Sequence, residues 1–181
     1  MRKSTMLIHS EKYTKGPAPM SFTLKEIKAF LKIDYGDEDE LLHILLEAAT
    51  DKLERYIGKA IIEQEWTASY SEIMDYCIDL PVVPVLSIVG IQLTDVCQST
   101  REFPKELYFL EGNRVHFSSI PYCFIMKIKY RVGMAQDRKM VPSVVKCALL
   151  EIIGNLYKNR GFGKDANFSM CQYDELRFLK L

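Results

Sequence analysis

The residue types that most often bind metals or act as nucleophiles are few and scattered in this sequence. The chain has five cysteines and three histidines, which are Cys77, Cys97, Cys123, Cys147, Cys171, His9, His43 and His116. Zinc sites usually need ligand pairs only a few residues apart, and neighbouring cysteines here are much farther apart than that. We therefore interpret the cysteines as reduced, mostly buried thiols and predict no metal site and no cofactor.

The sequence also lacks a recognisable set of catalytic residues. A serine or cysteine nucleophile needs a base within hydrogen-bonding reach, yet no histidine lies in a nucleophile motif, and Ser87 and Ser143 lack the glycines of a nucleophile elbow. Gly161-Phe162-Gly163-Lys164 follows a helical pattern, whereas a phosphate-binding loop precedes its helix. We therefore predict that the protein is not an enzyme and has no small-molecule substrate.

The acidic run Asp37-Glu38-Asp39-Glu40 could be mistaken for an ion site. Four consecutive residues at the start of a helix point in different directions, so they do not converge on one cation. Carboxylates are favourable near the positive end of a helix dipole. The run therefore predicts the beginning of a helix.

Charge and hydropathy exclude two further classes of protein. The formal net charge is zero, and the first 19 residues are basic, so the rest of the chain is slightly acidic. Free nucleic-acid-binding proteins usually carry a clear basic excess, because neutralising phosphates supplies most of their affinity. No apolar run approaches the roughly eighteen residues needed to cross a bilayer. We expect no membrane contact and synthesis in the cytosol.

The pattern divides the chain into a leader, one domain and a tail. Residues 1–20 contain Gly16-Pro17-Ala18-Pro19 and show no regular periodicity, which predicts either a flexible leader or a start placed upstream of Met20. Residues 21–181 are predicted to form a single domain. Within it, residues 162–181 form a polar and aromatic tail that could dock on a neighbouring molecule.

Apolar residues at helical spacing predict three helices, over residues 24–33, 38–57 and 142–160. Thr23-Leu24-Lys25-Glu26 is a capping box, in which the threonine hydroxyl and the glutamate carboxylate satisfy backbone donors reciprocally. Gly58 supplies a stop for the second helix, and Pro142 fits the first turn of the third. The two long helices are expected to pack against each other.

Between residues 61 and 132 the period changes to two, which predicts a β-rich section. The residues between Leu107 and Phe117 look like a tight hairpin around Glu111-Gly112-Asn113. The predicted strands are Ile62–Tyr70, Cys77–Leu80, Val85–Thr94, Glu106–Leu110, Arg114–Phe117 and Phe124–Val132. The expected fold class is α+β with mainly antiparallel strands.

The last predicted strand has a basic face formed by Lys127, Lys129 and Arg131, opposite an apolar face. A row of cations facing away from a core could contact DNA phosphates. Such a row is more often a solvated face that discourages edge-to-edge strand pairing, and the residues favour this interpretation while leaving DNA contact open.

The order of short motifs resembles the head-tail connector family of tailed bacteriophages, which includes the phage HK97 gp6-like and phiE125 gp8-like proteins. The first helix ends on Leu31-Lys32-Ile33-Asp34 before an acidic turn, and the second carries Ala48-Ala49 and Glu54-Arg55-Tyr56-Ile57-Gly58. The later motifs that follow in the family's order are Gln64 and Trp66, Leu80-Pro81, Pro84-Val85, Ser87-Ile88, Tyr130-Arg131-Val132-Gly133, Val141-Pro142, Leu156-Tyr157-Lys158-Asn159-Arg160 and Leu176-Arg177. The resemblance extends from residue 21 to residue 181.

This resemblance implies a structural adaptor that forms a homo-oligomeric, dodecameric ring beneath the portal protein. Such a ring extends the DNA channel, touches the packaged DNA transiently and receives a stopper or tail-completion protein. Its location is the virion neck, after synthesis in the cytoplasm of the host bacterium. The expected interface or channel residues are Arg55, Lys127, Lys129, Arg131, Asn159, Arg160 and Arg177.

Two other functions are compatible with the same sequence. The first is another neck or tail-completion protein of similar architecture, which would bind tail proteins but not the portal. The second is a small DNA-binding protein that uses the basic strand face. This second function predicts a steep salt dependence of duplex binding.

Overall fold

The structure is a computed structural model that describes residues 6–13, 22–71, 73, 75–159 and 169–177. The chain divides into two compact units, one formed by residues 1–17 and 63–133 and the other by residues 18–62 and 134–181. The sequence predicted one domain from residue 21. Two units form because the β-rich section between the helices builds its own layers and core.

The described residues of unit 1 form eight antiparallel strands in two sheets. The strands are β1 (Met6–Tyr13), β2 (Gln64–Ser71), β3 (Cys77–Asp79), β4 (Val85–Thr94), β5 (Thr100–Glu102), β6 (Tyr108–Glu111), β7 (Arg114–Phe117) and β8 (Ile125–Val132). One sheet has the order β1-β2-β8-β4-β5, and the other has the order β3-β7-β6. The six predicted strands are all present, with ends that differ by up to two residues.

Alternating burial along β8 produces the two faces of the larger sheet. Met126, Ile128, Tyr130 and Val132 are buried, whereas the cations between them are at least partly exposed. The hydroxyl of Tyr70 in β2 donates a hydrogen bond to the carbonyl oxygen of Asp79 in β3 at 3.1 Å, which joins the two sheets. The predicted hairpin is confirmed, since Glu111 pairs with Arg114 across Gly112, whose φ of 59° suits a tight turn.

Unit 2 consists of α1 (Leu24–Leu31), α2 (Asp39–Ile57), α3 (Ser143–Lys158) and a short α4 (Asp174–Arg177), which follows a 3-10 turn at Met170–Tyr173. The capping box at Thr23 and Glu26 is present. The hydroxyl of Tyr157 donates to Oε2 of Glu38 at 2.5 Å, so the end of α3 lies beside the start of α2. The two long helices therefore run antiparallel and pack together, as the sequence predicts.

Two predicted segments differ from the structure, and the described part of the tail packs within its own unit. Residues 6–13 of the predicted leader form β1, because its backbone pairs with β2 along the sheet edge, a contact that local periodicity does not reveal. The described part of the tail, residues 169–177, packs on its own unit through the buried side chains of Tyr173 and Leu176. The first helix ends at Leu31 and not at residue 33, because Lys32 adopts a left-handed conformation with φ of 58°.

Candidate interface surfaces

The basic stripe, which we define as Lys127, Lys129 and Arg131, lies on the central strand of the larger sheet. The neighbours of β8 are β2 on one side and β4 on the other. The stripe therefore cannot protect a sheet edge, which corrects one of the two interpretations based on the sequence. It is instead the middle row of a polar sheet face.

Carboxylates from β2 and the residue before it partly neutralise this stripe. Nζ of Lys129 lies 3.0 Å from Oε2 of Glu65, and Arg131 forms an ion pair with Glu63. Both pairs are diagonal in the sheet, because Arg131 is directly opposite Glu65 and Lys129 is opposite Thr67. The sequence analysis did not identify Glu63 and Glu65, although their spacing of two residues places them on one face of a strand.

Arg177 lies over the aromatic ring of Tyr56, the residue that follows Arg55 in the chain. The guanidinium carbon of Arg177 is 5.8 Å from the centre of that ring, and Arg55 precedes Tyr56 in the last turn of α2. The Tyr56 hydroxyl donates to Oδ1 of Asp174 at 2.5 Å, and this hydrogen bond raises the pKa of Tyr56 to about 12. The short helix α4 is thereby fastened to the end of α2.

A shallow depression of about 590 Å³ borders this cluster and is lined mainly by carbon atoms. Its walls are Ala48, Asp51, Lys52, Arg55, Tyr56 and Met170. Nζ of Lys59 donates to the carbonyl oxygen of Leu176 at 3.2 Å, and burial lowers the pKa of this lysine. The arrangement is a packed helix end with exposed arginines, which suits contact with another protein.

Asn159 and Arg160 complete the set of predicted site residues. Asn159 is exposed at the C-terminal cap of α3, and its backbone N–H donates to the carbonyl oxygen of Asn155 at 3.0 Å. It lies at the opposite end of the helix pair from Arg55, because α2 and α3 are antiparallel. Arg160 lies outside the described residues, as does the motif Gly161-Phe162-Gly163-Lys164.

The described residues contain no group of three or more His, Cys, Asp or Glu side chains that could hold a metal ion. In the same part of the chain, none of the helices combines the length and apolarity required to span a membrane. The prediction that the cysteines are mostly buried is wrong. Cys97, Cys147 and Cys171 are exposed, and Cys77 and Cys123 are partly exposed, because they lie in loops or on outer faces.

Residues 21–91 match a family model described as phage gp6-like head-tail connector protein, which supports the resemblance drawn from the motifs. No curated protein sequence matches the chain. The family match extends from the first helix into β4, and so includes parts of both units.

Solved structures with a similar fold come from gene transfer agent (GTA) particles. A chain in the neck of an empty GTA particle, computed with C6 symmetry, has a TM-score of 0.79 at 18% identity over 94% of this chain and 95% of that chain. A chain in the virion of the native particle has a TM-score of 0.77 at 18% identity, covering 93% and 94%. A chain in the native neck, computed with C12 symmetry, has a TM-score of 0.72 at 18% identity, covering 95% and 94%.

Proposed function

We propose that this protein is a structural head-tail connector that forms a ring beneath the portal of a phage or a phage-like particle. The observation that carries the proposal is the agreement between two independent comparisons. A head-tail connector model matches the sequence of residues 21–91, and the fold of nearly the whole chain is similar to chains in a particle neck. In this role the protein acts by binding other proteins, and it needs no catalytic residues.

A ring of about a dozen subunits is the assembly that we propose, by analogy with the neck described with C12 symmetry. A closed ring requires two different complementary surfaces on each subunit, related by a rotation. Unit 2 offers helix faces with exposed charge and exposed apolar side chains, including Ile44 on α2 and Val144 on α3. These surfaces support assembly into a ring.

The partners that we propose are the portal protein above the ring and a stopper or tail-completion protein below it. The packaged DNA would touch the ring only transiently. The chain carries no net formal charge, and Glu63 and Glu65 pair with two of the three cations of the basic stripe. A weakly charged wall allows DNA to slide, because tight binding depends on neutralising many phosphates.

Particle assembly without the chain tests this function. We expect filled heads and free tails to accumulate separately when its gene is removed, and tailed particles to return when the chain is supplied. The protein should be made in the bacterial cytoplasm and should then be recovered at the neck of the particle. Normal tailed particles in its absence would contradict the proposal.

Another neck or tail-completion role is the second candidate, because similarity to neck chains does not by itself specify which neighbour is bound. A protein with that role would bind tail proteins and not the portal. Binding measured separately against the cognate portal and tail proteins distinguishes the two. A free DNA-binding role is disfavoured by the ion pairs that neutralise the basic stripe.

A further inference from the structure

One face of α2 is acidic and has an exposed apolar residue at its centre. Glu40, Ile44, Glu47 and Asp51 follow one another at spacings of four, three and four residues, so they share a face of the helix. All four are exposed, and 62% of the surface of Ile44 is accessible. We call this set the acidic stripe; its C-terminal end is bounded by Lys52 and Arg55.

A second surface of unit 2 has the opposite charge. We call Arg138, Lys139, Met140, Val144 and Lys146 the basic patch, which covers the turn before α3 and its first turn. Met140 is 62% exposed and Val144 is 52% exposed, and both cations of the turn are exposed. Like the acidic stripe, this surface combines exposed apolar side chains with charged ones, but its charges are positive.

Asp137 fixes the shape of the turn that carries the basic patch. Its Oδ1 accepts hydrogen bonds from the backbone N–H groups of Lys139 at 2.7 Å and Met140 at 3.2 Å. The turn is therefore held in one conformation before any partner binds, which lowers the entropic cost of binding. Two carboxylates accompany the patch, Asp137 itself and Glu26, whose pKa is lowered by its hydrogen bonds with Thr23 and also by Arg138 and Lys146. The three cations Arg138, Lys139 and Lys146 still outnumber them.

The C-terminal segment, residues 169–177, lies between the two surfaces. Its first part borders the acidic side, where Met170 lines a depression with Ala48 and Asp51. Its later part borders the basic side, where Tyr173 and Leu176 line a depression with Val144. The two surfaces are consequently separate, and one copy of the chain can present both at the same time.

We propose that the acidic stripe of one subunit docks on the basic patch of the next copy of the same chain, and this rests on the proposed function as a ring. Contact between opposite charges favours this head-to-tail pairing, whereas pairing of identical surfaces would bring like charges together. Ile44, Met140 and Val144 would form the apolar centre of the contact, with charged side chains at its rim. A contact between two different surfaces is also the kind that closes into a ring.

Charge reversal tests the proposal with two variants of the full chain. The stripe variant carries Glu47→Lys and Asp51→Lys, and the patch variant carries Arg138→Glu and Lys139→Glu. Each variant alone should self-associate at least about tenfold more weakly than the wild type. Light scattering measures this self-association in solution and on the cognate portal. An equimolar mixture should regain assembly with the two variants alternating, because the intact stripe and patch attract each other and so do the two reversed surfaces. A chain with all four substitutions should regain assembly.

Lys105→Glu with Glu106→Lys is the matched control, since both residues are exposed in unit 1. This control should assemble like the wild type, and circular dichroism should show that every variant is folded. Rings formed by the stripe variant alone would overturn the proposal, and so would a wild type that does not self-associate either in solution or on the portal. Portal binding by the wild type measures the connector function separately, so the two proposals can fail independently.

Discussion

The hydroxyl of Tyr173 donates a hydrogen bond to Oε2 of Glu151 at 2.7 Å, which ties the C-terminal segment to the middle of α3. The ring of Tyr173 is buried, as is Leu176 one helical turn later. The segment thus completes the core of unit 2 within its own subunit. Contact of the tail with a neighbouring molecule stays a prediction.

Truncating Tyr173 should therefore destabilise the isolated subunit. We expect Tyr173→Ala to lower the free energy of unfolding by about 3 to 5 kcal/mol, as for other buried aromatic side chains. Tyr173→Phe removes only the hydrogen bond and should cost about 1 kcal/mol. Urea unfolding measures both, with Glu175→Gln as an exposed control that should change little. An unchanged stability for Tyr173→Ala would mean that the segment does not dock in the free subunit.

Alkaline pH should unfold the protein through its buried tyrosines. Burial raises the pKa of Tyr130 to about 12, and it also raises the pKa of Tyr70. The unfolded chain titrates near the ordinary value of 10.0 and so releases these protons first. Stability should be full below pH 10 and should fall as the pH rises toward 12.

Urea unfolding as a function of pH checks this dependence, and the variant Tyr70→Phe should show a shallower decline than the wild type. Tyr122→Phe is the matched control, because Tyr122 is 94% exposed. Equal declines for the wild type and Tyr70→Phe would show that Tyr70 titrates normally in the folded chain.

Two glycines should respond oppositely to substitution by alanine. Gly58 ends α2 with φ of 68°, a conformation that disfavours any side chain, so Gly58→Ala should cost about 1 kcal/mol. Gly154 lies inside α3, where alanine is favoured by up to about 1 kcal/mol. A new Cβ there would lie 3.3 Å from Cε1 of Phe30, a half-exposed ring that is free to shift. Thermal unfolding should show that Gly58→Ala is less stable than the wild type and that Gly154→Ala is more stable. A destabilised Gly154→Ala would show that the Phe30 ring does not move away from the new methyl group.

Removing the carboxylates beside the basic stripe should create DNA affinity that the wild type lacks. The double variant Glu63→Gln, Glu65→Gln leaves Lys129 and Arg131 without these ion-pair partners. We expect it to bind duplex DNA more tightly than the wild type, with a steeper dependence on salt concentration. Fluorescence anisotropy in a salt series measures both quantities, and Glu102→Gln serves as a control away from these pairs. Strong, salt-sensitive binding by the wild type would instead favour the DNA-binding function.

Much of this fold follows from local sequence patterns. The capping box at Thr23 and Glu26, the glycine stop at residue 58 and the alternation along β8 each depend on residues close together in the chain. Their physical causes act within a turn or a strand, so a sequence shows them directly. The same holds for the hairpin around Gly112.

The features that were missed depend on contacts between distant parts of the chain. The strand β1 is polar in its second half and is defined by backbone pairing with β2, more than fifty residues away in sequence. The neutralisation of Arg131 by Glu63 depends on the register between β2 and β8. The hydrogen bond from Tyr173 to Glu151 joins two residues that are 22 positions apart in the sequence. The described site residues lie at exposed or partly exposed positions, and their role as interface or channel residues stays a prediction. Their grouping was not predictable, because it depends on these distant contacts.

The most direct test of the connector function is the number of copies of this chain that bind to a purified cognate portal, measured by light scattering with negative-stain images of the complex. We expect a closed ring of twelve subunits on one end of the portal, by analogy with the neck of C12 symmetry. The patch variant should leave that ring incomplete. A protein that binds tail components but leaves the portal bare would contradict the connector function.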